Sequence, residues 1–271
     1  MNRTAIVTGA SRGIGVHIAR ELAGRGYKLL LVARSADDLE RVARELDASW
    51  AAVDLASPAA AAEIVERARA TLGTVDVLVN NAALELQRRF HNLTAEEIET
   101  VIRVDLLAPV ELTHRLLPGM LERGYARIVN ISSIAGHAGF PFTEAYAAAK
   151  DGLIAFSRVL RNDYRASGVS SSTVVLGAVK DAGLGQRTLD ETGLSSSTAF
   201  MIGPERVAKA VIRAIERDRA ELVVMRGPGR LMKALMDAFP GFGPALGRAA
   251  GAERTMTAVA EFRERQALGQ L

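Results

Sequence analysis

Tyr146 and Lys150, in Tyr146-Ala147-Ala148-Ala149-Lys150, are the pair in this chain best suited to moving a proton. Inside a helix that spacing puts both side chains on one face, about one turn apart. A free phenol has a pKa of about 10, too high for efficient proton exchange near neutrality. A neighbouring ammonium favours the phenolate and is expected to lower that value. Alone, such a helix face is more often plain surface than catalysis, so its meaning depends on what else the chain carries.

A second chemical signal lies at the amino end. Thr8-Gly9-Ala10-Ser11-Arg12-Gly13-Ile14-Gly15 connects the apolar run Thr4-Ala5-Ile6-Val7 to a stretch of helical spacing over 16–22. Glycine lets a backbone turn tightly and approach a ligand with no side chain between them. The helix behind it then points unpaired N–H groups and its positive dipole end at that ligand, which suits a pyrophosphate. The alternative is a tight strand-to-helix turn with no ligand.

The glycines are spaced Gly9-x-x-x-Gly13-x-Gly15, not as G-x-G-x-x-G. In this form the chain resembles the short-chain dehydrogenase/reductase family, classical type, whose members carry TGxxxGIG. Further matches follow in the family's order over residues 1 to about 228. Asn80-Asn81-Ala82-Ala83 is similar to the family's NNAG, and Ser133 stands thirteen residues before Tyr146, as in the family. The resemblance implies hydride transfer between a nicotinamide and a carbinol or carbonyl carbon. Tyr146 would give or take the oxygen's proton, and Ser133 would hydrogen-bond that oxygen as its charge changes. Ser132 is the structural alternate. Lys150 can also bind the ribose hydroxyls.

The same resemblance assigns the cofactor contacts. Gly9, Ser11, Arg12, Gly13, Ile14 and Gly15 form the phosphate turn. Asp54, followed by Leu55, would accept from the adenine amine, or else cap the next helix. Asn80 and Ala82 would lie along the nicotinamide ribose, with Tyr146 and Lys150 beside them. Gly177, Val179 and Asp181 would run along the nicotinamide. Two departures stand out. Val104-Asp105-Leu106 replaces the family's Val-Asn-Leu, making Asp105 the fourth catalytic position. Its carboxylate could pair with Lys150 and weaken the pull on Tyr146. Leu176-Gly177-Ala178-Val179-Lys180-Asp181 replaces Pro-Gly-x-Val-x-Thr, and Asp181 can accept from the carboxamide but cannot donate.

Strand two ends Leu31-Val32-Ala33-Arg34-Ser35. An NAD site usually has an acid where Ala33 stands, to hold the ribose 2′-hydroxyl. Arg34 and Arg12 suit a 2′-phosphate instead, because a guanidinium fork binds one with two prongs. The reading is an NADP(H)-dependent oxidoreductase acting on an apolar secondary alcohol/ketone pair. An NAD(H) enzyme of the same type is the first alternative, and a dinucleotide-binding regulatory protein with weak catalysis the second.

Bulk properties agree with one well-cored α/β domain. The chain has 271 residues, of which 49% are hydrophobic, with a net charge of +3. Basic and acidic residues are interspersed, so no nucleic-acid stripe appears. There is no cysteine, and the four histidines sit at no metal-ligand spacing. No leader or membrane-spanning run is visible, which makes the cytoplasm the expected location. The resemblance implies a homodimer or homotetramer.

Strands are expected at 4–7, 28–33, 50–53, 75–80, 126–131, 171–176 and 221–225. Helices are expected at 37–46, at 59–71 behind a Ser57 cap, after the Thr94 cap, and at 104–123, 144–166 and 204–216. Alternation of this kind requires right-handed crossovers and a mostly parallel sheet. The fold class is therefore α/β, a doubly wound parallel seven-stranded Rossmann sheet. Strand order 3-2-1-4-5-6-7 is what the resemblance implies.

Residues 182–202 occupy the family's lid position and mix Gly183, Gly185, Gly193 and Ser195-Ser196-Ser197 with Leu184, Leu189, Leu194, Phe200 and Met201. Phe140 and Phe142 could add an apolar wall. Residues 229–271 are expected as a helical extension of the 1–228 domain. Leu231, Met232, Leu235, Met236 and Phe239 recur there at helical spacing, near Arg226, Arg230 and Lys233. Such a stripe can lie on a membrane surface; packing on its own domain or a partner subunit is the reading adopted.

Overall fold

The computed structural model describes residues 3–182 and 201–269, together with Thr188 and Gly193. Seven parallel strands make one sheet: β1 Thr4–Thr8, β2 Lys28–Ala33, β3 Ser49–Ala52, β4 Val77–Asn80, β5 Ala126–Ser133, β6 Val169–Leu176 and β7 Glu221–Val224. Their order is β3-β2-β1-β4-β5-β6-β7. The inner strands are continuous apolar runs because both sheet faces are covered. One cover consists of α1 (Ile14–Ala23), α2 (Ala36–Leu46) and α8 (Pro204–Arg217). The other consists of α3 (Ala60–Leu72), α5 (Ala108–Arg123) and α7 (Glu144–Asp163). Register pairs Val7 with Leu31 on one side and Val79 on the other, so the ends of β1, β2 and β4 come level. Strand order reverses between β1 and β4, and the carboxyl ends there open the crevice where such sheets bind ligands.

Two local expectations are corrected. Helix α3 begins at Ala60, not directly behind Ser57. The Ser57 hydroxyl accepts from the Ala59 amide at 3.2 Å, and its carbonyl accepts from Ala60 at 3.1 Å, so it closes the turn leading into the helix. The helix expected from 104 is the continuation of α4 (Ala95–Ile102) through a π turn, Arg103–Leu107, into α5. Thr94 caps α4 as expected: its hydroxyl accepts from the Glu97 amide at 3.2 Å, and the Glu97 carboxylate accepts from the Thr94 amide at 2.9 Å. The lid residues Gly183, Leu184, Gly185, Leu189, Leu194, Ser195, Ser196, Ser197 and Phe200 lie outside the described residues.

Beyond β7 the chain forms α9 (Gly229–Ala238), α10 (Phe242–Ala249) and α11 (Ala252–Ala267), which fold back on the domain. Met236 packs with Ile134, Ala138, Ile154 and Val175. The backbone at Gly243 comes so near the short helix α6 (Ala135–Ala138) that a Cβ there would lie 2.8 Å from the Ala138 Cα. Helix α11 grips the segment after β4: Arg89 pairs with Glu264 and Glu261, and Asn92 donates to Glu264 at 2.9 Å. Among the described residues, no helix is long and apolar enough to cross a membrane.

Candidate active site

Ser133 is the last residue of β5, and Tyr146 and Lys150 lie in the first half of α7. Two hydrogen bonds fix that helix against the strand. The Ser132 hydroxyl donates to the Lys150 carbonyl at 2.9 Å, and Lys150 Nζ donates to the Ile131 carbonyl at 3.2 Å. Ser132 is thereby a tether, while Ser133 stands near enough to the Tyr146 phenol to favour its ionised form. Ser133 Oγ also accepts from the Ala135 amide at 3.1 Å, which orients it. Lys150 is buried, with Nζ 5.5 Å from the centre of the Tyr146 ring.

Asp105 enters from the π turn. Such turns carry one residue more than an α-helical turn and recur at functional sites. Its side chain is fully buried; Oδ1 accepts from the Leu84 amide at 2.7 Å, and Oδ2 lies 3.6 Å from Lys150 Nζ. Burial raises this carboxyl to about 6, with the Lys150 charge and the Leu84 amide pulling partly back.

The glycine turn has the geometry of a cradle. Gly9 and Gly13 sit at φ 67° and 60°, a region costly for residues with a Cβ. A Cβ on Gly9 would lie 2.8 Å from the Ala82 Cα, and one on Gly13 would lie 2.5 Å from the Ala182 carbonyl. Asn81 donates to the Thr8 carbonyl at 2.9 Å and ties the two strand ends together. Among the described residues no side chain caps the N-terminus of α1, and no acid lies in its first turn, which suits an anion. Ile14 is partly buried on the core behind it, and Ser11 is buried in the turn. Arg12 and Arg34 are exposed, and neither forms an ion pair with a described residue.

The match to known proteins agrees with this arrangement. A family model described as short chain dehydrogenase covers residues 3–192. The chain belongs to the short-chain dehydrogenase/reductase family. Among its curated relatives, a ketoacyl reductase, HetN, of Nostoc sp. is 36% identical over 231 residues, 83% of this chain and 79% of that protein. An acetoacetyl-CoA reductase of Rhizobium meliloti is 35% identical over 219 residues, 78% of this chain and 90% of that protein. A solved metagenomic short-chain oxidoreductase in complex with NADP is 32% identical, with a TM-score of 0.69 over 82% of this chain and 96% of that one.

Within this short-chain dehydrogenase/reductase, the other expected cofactor residues have mixed surroundings. Asn80 is buried and donates to Asn130 at 2.8 Å across β4 and β5, so its amide nitrogen serves the sheet. Ala82 flanks Gly9, as above. Asp54 accepts from the Ala56 amide at 3.0 Å, closing a local turn, and Leu55 is buried in the core. Gly177 is demanded by packing, since a Cβ would meet the Met225 Cβ at 2.7 Å. Val179 is buried and bridges to Ile202. Asp181 is exposed at φ 60°, with its carboxylate 3.8 Å from Lys180 Nζ.

One expectation fails. The Tyr146 phenol lies well above its ordinary value, not below it. Burial is the main cause, and the charges of Glu85 and Asp105 add to it. Lys150 does not offset them, because its ammonium is engaged by Asp105 and the Ile131 carbonyl. The sequence reading overlooked Glu85. Its carboxyl is raised to about 7 by burial and by Asp105, and Oε1 accepts from Gln87 Nε2 at 3.3 Å. Gln87 is buried and also reaches the Met256 sulfur on α11, at 3.4 Å. The available signal was an acid in the apolar run Ala82-Ala83-Leu84-Glu85-Leu86 just past a central strand. Phe142 holds φ 64° in the connection between Ser133 and Tyr146. That is unusual for a bulky residue. Phe140 packs with the Ile134–Ala138–Met236 cluster under the extension.

Proposed function

We propose that this chain reduces apolar ketones with NADPH, with Tyr146 as the proton donor and 3-oxoacyl thioesters as the leading substrate class. The observation that carries it is the placing of Tyr146 beside Ser133 at the end of β5, with the buried Lys150 Nζ 5.5 Å from the centre of its ring. A nicotinamide held there would supply the hydride. Tyr146 gives its proton to the carbonyl oxygen, and Ser133 hydrogen-bonds the same oxygen while it carries charge. A phenol held above its ordinary pKa stays protonated across the neutral range, as a proton donor to a carbonyl oxygen must. Asp105 restrains Lys150, which would also hold the ribose. Gly9, Gly13 and the bare N-terminus of α1 suit the pyrophosphate, and the unpaired Arg12 and Arg34 suit a 2′-phosphate. The thioester reading is supported by relatives that are named ketoacyl and acetoacetyl-CoA reductases.

The test is NADPH consumption across diverse ketones, a 3-oxoacyl thioester among them, alongside Tyr146→Phe. Turnover is expected to fall by about 10²–10⁴ in the variant, with NADPH binding intact. NADPH binding without turnover of any carbonyl compound would favour the regulatory alternative.

A further inference from the structure

The extension carries no family motif and shows a surface that the active site leaves unused. On α9 the buried residues are Gly229, Lys233 and Met236, whereas Leu231 is 58% exposed. Ala234 and Ala238 are also exposed. They share Leu231's face at spacings of three and seven, opposite the buried one. Phe239 (62%) and Leu246 (41%) continue the apolar exposure through the turn into α10.

The charge around this face is mainly positive. Between 226 and 251 the basic residues are Arg226, Arg230, Lys233 and Arg248, and the one acid is Asp237. Asp237 is already committed, with Oδ1 2.7 Å from His137 Nδ1 and Oδ2 2.9 Å from Lys233 Nζ. Arg226, Arg230 and Arg248 are exposed and form no ion pair with a described residue. A second copy is a poor occupant, because a two-fold contact over this face would bring two basic patches together. An apolar helical face flanked by unpaired arginines matches an interface of acyl chains and anionic headgroups.

We propose that α9 and α10 dock this chain on an anionic lipid bilayer, with Leu231, Phe239 and Leu246 entering the acyl boundary and Arg226, Arg230 and Arg248 meeting the headgroups. Through Gly243, α10 sits on α6, which begins two residues after Ser133. An apolar ketone dissolved in that bilayer would lie one helix away from the catalytic serine.

The experiment is co-sedimentation of the full chain with vesicles of phosphatidylcholine alone and of equal parts phosphatidylcholine and phosphatidylglycerol. Binding is expected to the anionic vesicles and to weaken with salt. Leu231→Asp with Phe239→Asp should abolish it, and each arginine changed to Gln should weaken it about fivefold. Thermal melting and NADPH binding of every variant confirm its fold, and sedimentation needs no turnover. The proposal is overturned if the wild-type chain stays in solution, or if the double variant binds as the parent does. It is also overturned if that variant converts a dimer to a monomer while vesicle binding is absent from both.

Discussion

Neutralising Asp105 by Asp105→Asn should stabilise the protein at neutral and alkaline pH, although it removes half of a buried ion pair. The carboxyl has an ordinary value of 3.8 and is raised to about 6 in the fold. A raised acid stabilises the folded state in full below pH 3.8, and that contribution disappears as pH climbs through about 6. Two pKa units correspond to about 3 kcal/mol. The attraction to Lys150 is already contained in the shifted value, so its loss is not a separate cost. Asn keeps an oxygen for the Leu84 amide, which preserves the 2.7 Å contact. Above pH about 7 the variant should therefore be more stable by about 3 kcal/mol. That corresponds to about 2–4 °C in melting temperature per kcal/mol for a chain of this size. The gain should shrink to nothing toward pH 3.8. Urea unfolding of both proteins over that range gives the difference directly. A variant less stable than the parent at alkaline pH, or a gain independent of pH, would refute the reasoning.

Glu85→Gln should lower the pH at which Tyr146 ionises, since one of the charges opposing the phenolate is gone. Phenolate absorbance, with Tyr146→Phe subtracted to separate it from the other three of four tyrosines, reads this shift; an unmoved midpoint counts against Glu85 acting on Tyr146. Arg34→Asp should weaken NADPH by at least about tenfold, from a charged hydrogen bond worth about 1.5–3 kcal/mol, and leave NADH much less affected. An unchanged ratio of the two affinities would remove the 2′-phosphate assignment. Gly13→Ala should cost about 1–3 kcal/mol from its backbone at φ 60° and ψ −140°, a region that favours glycine, and more from the Ala182 carbonyl, as measured by denaturant midpoint. NADPH binding should fall with it.

The sheet and the glycine turn were legible because both signals are local. Each inner strand is its own apolar run, and Gly9, Gly13 and Gly15 declare a conformation without help from distant residues. The pairing of Asp105 with Lys150 could be foreseen from one changed letter in a known motif. The electrostatic balance at Tyr146 could not. It depends on how deeply the phenol is buried and on Glu85, which acquires meaning only beside Asp105, twenty residues later. Ser57 shows a smaller version of the same difficulty: its side chain chose the first turn available, and the helix began beyond it. The extension's stripe was visible as a period, but which half of it faces the domain depended on the cluster around Met236.

The π turn at Arg103–Leu107 has a consequence for how this helix can change. Its i→i+5 bonds absorb one extra residue in a single turn, so deleting one residue from it would restore ordinary α-helical pitch and leave both flanks close to their present phase. Val101 and the Leu112–Leu116–Met120 stripe would keep the faces they bury. The acid beside Lys150 would lose the widened turn that presents it. A single-residue deletion here should therefore disturb the fold less than one elsewhere in either flanking helix, while still removing the contact between Asp105 and Lys150.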